Sequence, residues 1–201
     1  LLHTHASEQV AEVELVCKRT GMFNVEYLHS VGMTGPDVCL AHCVHVEPHE
    51  RRMLVETDTR VLHCPSANLK LGSGIAPVPE YLKSGITVAL GADGAPCNNR
   101  LDMFTEMREA GLLQKIRLGP GALPAKEIVR MATEGGAKAM MWSEEMGTLE
   151  EGKRANLVLV NQDNVHVLPS ENAAANLVYA NSAADVEMTI VNGRILYEDG
   201  Q

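Results

Sequence analysis

Apolar runs alternate with helically spaced apolar residues from the first position to about residue 141. Leu1-Leu2-His3-Thr4-His5 reads as the end of a strand. Val10, Val13 and Val16 then recur at helical spacing, and Ser7 stands where an N-cap would. Asn24 to Val31 forms a second short helical stretch. Val38 to Cys43 is a nearly all-apolar strand, and Pro48 leads into a helix over 50–57. Arg60 to His63 is a short strand closed by Pro65. Residues 78–84 read as a helix closed by Gly85, followed by a buried strand, Ile86 to Leu90, that ends at Gly91-Ala92-Asp93-Gly94. A helix over 101–115 turns Met103, Met107, Ala110 and Leu113 toward the core. Pro124 opens another over 125–141, weakened by Gly135-Gly136.

Strands that are apolar on both faces and separated by helices predict a parallel sheet of βα units. Four such units can be counted, with strand ends near residues 5, 42, 63 and 93. The pattern changes after Trp142. Asn156 to Val160 is a strand, and 186–190 and 194–197 form a hairpin around Val191-Asn192-Gly193, since Asn-Gly is the strongest two-residue turn signal. These are antiparallel strands of a different layer. The expected domains are therefore 1–144 and 145–201.

Composition narrows the class. The chain has 201 residues, 45% apolar and 21% charged, which is globular rather than disordered. No apolar run is long enough for a membrane helix. The net charge of −9 argues against non-specific nucleic-acid binding, which needs clustered Lys and Arg; Lys18-Arg19 is too small a cluster. A small neutral or cationic substrate fits better. Five cysteines, with no C-x-x-C, argue against a disulfide framework and for a reducing, cytoplasmic setting.

In parallel α/β architectures, chemistry sits at the C-terminal ends of the strands. His5, His42, His63 and Asp93 stand there. A single His at a strand end is more often a hydrogen-bonded structural residue, and a single Asp before Gly more often a turn residue. Three His and one Asp on adjacent strands are harder to dismiss, because imidazole and carboxylate are ordinary Zn²⁺ and Fe²⁺ ligands. Glu8, three positions after His5, could reach the same mouth as a general acid/base, or serve only as a helix N-terminal charge.

His3-x-His5 puts both rings on one face of a strand and so could be a metal pair. Counting argues otherwise. Asp93 follows His5 by 88 positions, a whole eight-stranded barrel takes roughly 250 residues, and only four strand ends lie in this span. His5 is then expected in the middle of a barrel, and the fold is expected to be the C-terminal half of a (β/α)8 TIM barrel, strands five to eight, followed by part of a small β-sandwich.

At these residues a family becomes recognisable. His5-Ala6-Ser7-Glu8 resembles the H-x-x-E of barrel strand five in the metal-dependent amidohydrolases, and Ala41-His42-Cys43 their strand-six A-H-C. His63-Cys64-Pro65-Ser66-Ala67-Asn68-Leu69-Lys70-Leu71-Gly72-Ser73-Gly74 is similar to their N-P-x-S-N-x-K-L-x-S-G loop. Gly91-Ala92-Asp93-Gly94, running on through Asn98-Asn99 to Asp102-Met103, resembles the strand-eight segment. Gly147 to Leu157 resembles G-S-L-E-x-G-K-x-A-D-L. The resemblance covers essentially the whole chain. Its nearest branch is that of triazine chlorohydrolases and aminopurine deaminases, including methylthioadenosine/S-adenosylhomocysteine deaminases and guanine deaminases.

The resemblance implies roles. His5 and Asp93 would bind one divalent metal, Zn²⁺ or Fe²⁺. Asp93 would also take a proton from the activated water, Glu8 would carry it to the ring nitrogen or the leaving amine, and His42 would orient or polarise the nucleophile. Glu8 and Asp93 would touch the N-heterocyclic substrate. Full-length relatives imply a homo-oligomer. The family's strand-one His-x-His is absent, and His3, two residues deeper on its strand, is expected to be a second-layer packing residue. His63 stands where the family more often has Asn and is expected to structure the loop, with a substrate contact as the other option. His45 and His49 are expected to be surface or loop-packing residues, and Met103 and Met107 core. Three other readings stay open: an s-triazine chlorohydrolase, a catalytically incomplete half-barrel used only for binding or assembly, and a binuclear ring-opening amidohydrolase with His42 on a second metal. The carboxylate after His5 favours the mononuclear deaminase.

Overall fold

The computed structural model describes residues 1–169 and 171–198. Its first part runs β1 (Leu2–Ala6), α1 (Val10–Thr20), α2 (Asn24–Ser30), β2 (Val38–His42), α3 (Pro48–Glu56), β3 (Arg60–His63), α4 (Pro65–Lys70), α5 (Val78–Lys83), β4 (Val88–Leu90), α6 (Ala95–Asn98) and α7 (Met103–Leu118). There follow α8 (Ala125–Arg130), a π-helical turn (Met131–Gly135), α9 (Gly136–Ala139), β5 (Leu157–Val160), α10 (Ala173–Tyr179), β6 (Val186–Val191) and β7 (Arg194–Glu198). Strands β1 to β4 form one parallel sheet in sequential order, as their two-sided apolar character requires. Strands β5, β6 and β7 form a separate antiparallel sheet. Asn192 and Gly193 turn the β6–β7 hairpin with φ of 50° and 75°, both left-handed, as a type I′ turn demands.

The register of the parallel sheet assigns its two faces. Thr4, Leu40, Val61 and Val88 align across the strands, and His5, Ala41, Leu62 and Ala89 align one step on. Side chains alternate along each strand, so these two rows point opposite ways. The first row carries the main core. Val38, Leu40, Val61, Val88 and Leu90 pack there with Leu54, Tyr81, Ile128 and Met131 under the helices. The second row holds a small cluster of Cys39 and Ala89 with Ala139 and the half-buried Leu62. Here Cys39 Sγ and Arg60 Nη1 both bond to the Ala139 carbonyl, at 3.3 and 3.4 Å. Helix α10 packs on α7 and α8, and its Val178 joins the main core.

Several local expectations change. Ser7 is not the cap of α1: it has φ 52° and is buried, and the helix starts at Val10 after Gln9. Pro48 is itself the first residue of α3, where its missing N–H costs nothing. β3 ends at His63, before Pro65, as expected, but α4 then starts at Pro65, and α4, α6 and α10 are helices that apolar spacing does not reveal. The helix expected over 125–141 is interrupted by the π-helical turn. A Cβ on Gly135 would stand 2.5 Å from the Val88 carbonyl oxygen, so this glycine is what lets the turn lie against β4. Met107 is buried in the core and Met103 packs against it. All five cysteines are free; Cys39, Cys43 and Cys64 are buried.

Candidate metal centre at the strand ends

Three of the four strand-end residues converge. His5, His42 and Asp93 offer ligand atoms that all lie within 4.8 Å of one another. His5 Nε2 is 4.0 Å from Asp93 Oδ1, and His42 Nε2 is 3.9 Å from Asp93 Oδ2. Glu8 Oε2 is 3.8 Å from His42 Nε2. The His5 and His42 rings stack at 5.0 Å between centroids. The His42 side chain is 1% exposed, whereas that of His5 is 62% exposed.

The backbone explains how. His42 aligns with Ala6, in the row that faces the helices, and a regular strand would bury its ring there. Its φ of 69° breaks the strand and turns the ring toward His5. Asp93 follows β4 with φ 59°, and Ser7, just after β1, has φ 52°. Non-glycine residues in this region are uncommon, and their clustering at the mouth of one sheet marks stored strain of the kind found at functional sites.

His63 is the strand-end residue that does not join. It aligns with Leu90, its strand continues regularly to its end, and its ring therefore enters the helix-covered side. It is fully buried, and neither ring nitrogen has a hydrogen-bond partner among the described residues. Burial, and then neighbouring His42, push its pKa down to about 3, so it is a neutral ring at any ordinary pH. Of the three His and one Asp at the strand ends, His63 thus stands outside the cluster. His3 lies on the His5 face, with ring centroids 6.3 Å apart, and is exposed. Burial of part of the ring, together with His5 and His42, lowers its pKa. His45 packs a loop through Nε2, 2.8 Å from the Ser73 carbonyl, and His49 pairs with Glu26 at the surface at 3.1 Å.

Residues that strand-end reasoning passes over hold the cluster in place. Asn68 Oδ1 lies 2.8 Å from His42 Nδ1. The amide oxygen accepts, so Nδ1 carries the proton and Nε2 keeps its lone pair. That Nε2 is buried with no hydrogen-bond partner among the described residues. Glu12 accepts the backbone N–H groups of Ser7 and Glu8, at 3.2 and 2.8 Å, and the amide of Asn24, clamping the turn that presents Glu8. Buried Glu106 accepts from Asn98 Nδ2 at 2.6 Å, and the same amide bonds the Ala92 carbonyl at 2.8 Å, next to Asp93. Burial raises the pKa of Glu106, against the bonds from Ser66 and Asn98. Asn68 and Asn98 stand in segments already marked by the resemblance, which is the signal that could have found them. A shallow surface depression of about 270 Å³, lined by Arg51, Arg52, Val55 and Glu56 of α3 and by Ser84, includes none of these residues.

The donor set suits a borderline divalent cation, which takes imidazole nitrogen and carboxylate oxygen at roughly 2.0–2.2 Å. The buried Nε2 of His42, without a hydrogen-bond partner among the described residues and aimed at two carboxylates, is an atom in want of a partner such as a cation or a water. The residues present therefore fit such a group.

A parallel α/β sheet with imidazoles and carboxylates gathered beyond its strand ends defines an α/β scaffold with a metal-suited mouth. Residues 1–196 match the amidohydrolase family, and the chain belongs to that family. It is 46% identical over 201 residues to a 5-methylthioadenosine/S-adenosylhomocysteine deaminase of Moorella thermoacetica, covering all of this chain and 47% of that protein. Among solved structures it superposes on a zinc-bound adenosine deaminase from Xanthomonas campestris with a TM-score of 0.95 at 31% identity, over 98% of this chain and 45% of the other. It also superposes on the zinc complex of the atrazine chlorohydrolase of Arthrobacter aurescens TC1, with a TM-score of 0.92 at 29% identity, over 98% and 44%. The chain spans about half the length of the curated relatives it matches. No helix among the described residues is long and apolar enough to cross a membrane.

Proposed function

We propose that this chain is the C-terminal half of a (β/α)8 barrel, residues 1–144, followed by β-sandwich strands in residues 145–201. In this reading the whole protein is a metal-dependent deaminase that hydrolyses the exocyclic amine of an aminopurine, in the first place an adenosine derivative. The observation that carries the proposal is the convergence of His5, His42 and Asp93 within 4.8 Å, with Glu8 beside His42. Likeness to deaminases of adenosine derivatives supports the substrate class.

His5 and Asp93 hold one divalent metal, Zn²⁺ before Fe²⁺, together with ligands outside residues 1–201. Such a cation makes water a competent nucleophile at neutral pH. His42 Nε2, its lone pair free because Nδ1 donates to Asn68, accepts a hydrogen bond from the attacking water and orients it. Asp93 takes the proton released as the water attacks the amidine carbon of the ring. Glu8 carries that proton on to the adjacent ring nitrogen, and the water's second proton, released as the new C–O bond becomes a carbonyl, passes to the departing amine, which leaves as ammonia. Glu8 and Asp93 therefore also bind the substrate. The protein works in the cytoplasm as a homo-oligomer, and residues 1–201 alone turn over nothing, because the metal lacks the rest of its ligands.

The test is to purify the full-length gene product, measure bound metal, and offer adenosine, 5′-methylthioadenosine, S-adenosylhomocysteine, guanine and atrazine. Ammonia from an adenosine derivative with about one metal per chain is the expected result. Chloride from atrazine without ammonia from any purine overturns it in favour of a chlorohydrolase, the second reading that the structural likeness favours.

A further inference from the structure

The loop after α4 brings one more polar residue to the mouth. Ser73 is 4% exposed. Its Oγ is 3.0 Å from Glu8 Oε1 and 2.7 Å from Gln9 Nε2. The amide nitrogen of Gln9 can only donate, so Ser73 Oγ accepts there, and its single proton goes to Glu8 Oε1. The hydroxyl is thus forced into one direction. The backbone of Ser73 is tied independently: its N–H donates to the Asn68 carbonyl at 2.8 Å, and its own carbonyl accepts from His45 Nε2 at 2.8 Å. Gly74 follows with φ 122°, and a Cβ there would stand 3.0 Å from Val44 Cγ1. The loop is held by main-chain bonds and close packing, so the hydroxyl is not what fastens it.

We propose that Ser73 is a positioning residue for the proposed proton shuttle: by occupying Glu8 Oε1 it leaves Oε2 as the oxygen facing His42 Nε2. A glutamate carboxylate on three rotatable bonds otherwise samples several orientations. Glu8 Oε2 sits 3.8 Å from His42 Nε2, on the side where Asp93 also converges. Gln9 and His45 act on the same device at one remove, one aiming the hydroxyl and the other holding its main chain. The inference rests on the reading of Glu8 as the group that moves the proton.

The experiment uses the full-length protein and its best substrate, with Ser73→Ala made in the wild type and in a Glu8→Gln background. Ser73→Ala is expected to lower kcat by roughly ten- to a hundredfold, the scale of a misplaced catalytic group, with KM and bound metal little changed. The same substitution in the Glu8→Gln background is expected to cost less than about twofold, because a residue that acts through Glu8 has nothing left to position. Ser73→Thr, which keeps the hydroxyl, is expected to retain most of kcat. Should Ser73→Ala not fold, Ser73→Cys, a near isostere and weaker donor, takes its place with the same double-variant comparison. An equal cost in both backgrounds, or an unchanged kcat, overturns the proposal for Ser73 alone. Wild-type kcat in Glu8→Gln overturns instead the reading of Glu8.

Discussion

His42 Nδ1 and Asn68 Oδ1 are 2.8 Å apart, and that one bond decides which nitrogen of His42 faces Glu8 and Asp93. Both residues are buried. Asn68→Leu removes the acceptor and leaves a buried N–H without a partner, which costs about 1–3 kcal/mol. It also frees the tautomer. The expected outcome in the full-length protein is a fall in unfolding free energy of that size by urea titration, with a loss in kcat of at least tenfold. A variant with unaltered kcat would show that the tautomer of His42 has no part in the reaction.

Asp93 and Glu8 are both carboxylates at the mouth, yet their proposed duties separate. Asp93→Ala is expected to lose bound metal and activity together, since Asp93 is within 4.0 Å of both histidines. Glu8→Gln is expected to keep its metal and lose roughly 10²- to 10⁴-fold in rate, the range for a general acid/base. Metal analysis after dialysis, alongside steady-state kinetics, distinguishes the two. Loss of metal from Glu8→Gln would move Glu8 into the ligand set.

His63 makes stability depend on pH. Burial holds its pKa near 3, against an ordinary 6.5. Above about pH 6.5 the ring is neutral in both folded and unfolded chains. As pH falls from there toward 3, the unfolded chain takes up a proton that the folded one refuses, so stability is lost across that window. His63→Asn abolishes this contribution. Urea midpoints followed from neutral pH down to about pH 4 are expected to fall more steeply for the wild type than for the variant. Parallel curves would show that His63 is hydrated or partnered in solution.

Neighbouring glycines are expected to answer oppositely to alanine. At Gly135 the new methyl meets the Val88 carbonyl oxygen at 2.5 Å, a backbone atom that cannot swing away. Overpacking of this kind costs about 1–3 kcal/mol. At Gly136 nothing lies within 4 Å and the backbone is helical, with φ −59° and ψ −48°. Gly136→Ala is expected to stabilise by up to about 1 kcal/mol through helix propensity. Thermal unfolding of the pair decides the matter; a stabilising Gly135→Ala would mean that the π-helical turn does not pack on β4.

Much of this molecule is legible in its sequence. Two-sided apolar strands between helices determine a parallel α/β sheet, because only such a sheet buries both faces of every strand. Asn192-Gly193 determines the hairpin, because only residues tolerant of positive φ close a type I′ turn. Placing His5, His42 and Asp93 after apolar runs determines that they lie near the mouth. Short helices such as α4 and α10 escape, since one to two turns are too few to show a helical period and are held by the elements they pack against.

Tertiary structure decided the rest. Periodicity alone treats His42 and His63 alike, each closing a strand in the helix-facing row. A single left-handed φ at His42 turns its ring into the centre, while His63 stays regular and is sealed under the helices. Which way a strand end turns depends on contacts from distant residues, here Asn68 on α4 and the loop at Ser7, whose carbonyl receives the N–H groups of Val44 and His45. Contacts between side chains so far apart in sequence leave no local periodic pattern, so strand periodicity cannot separate His42 from His63, although the motif resemblance already sets His63 apart.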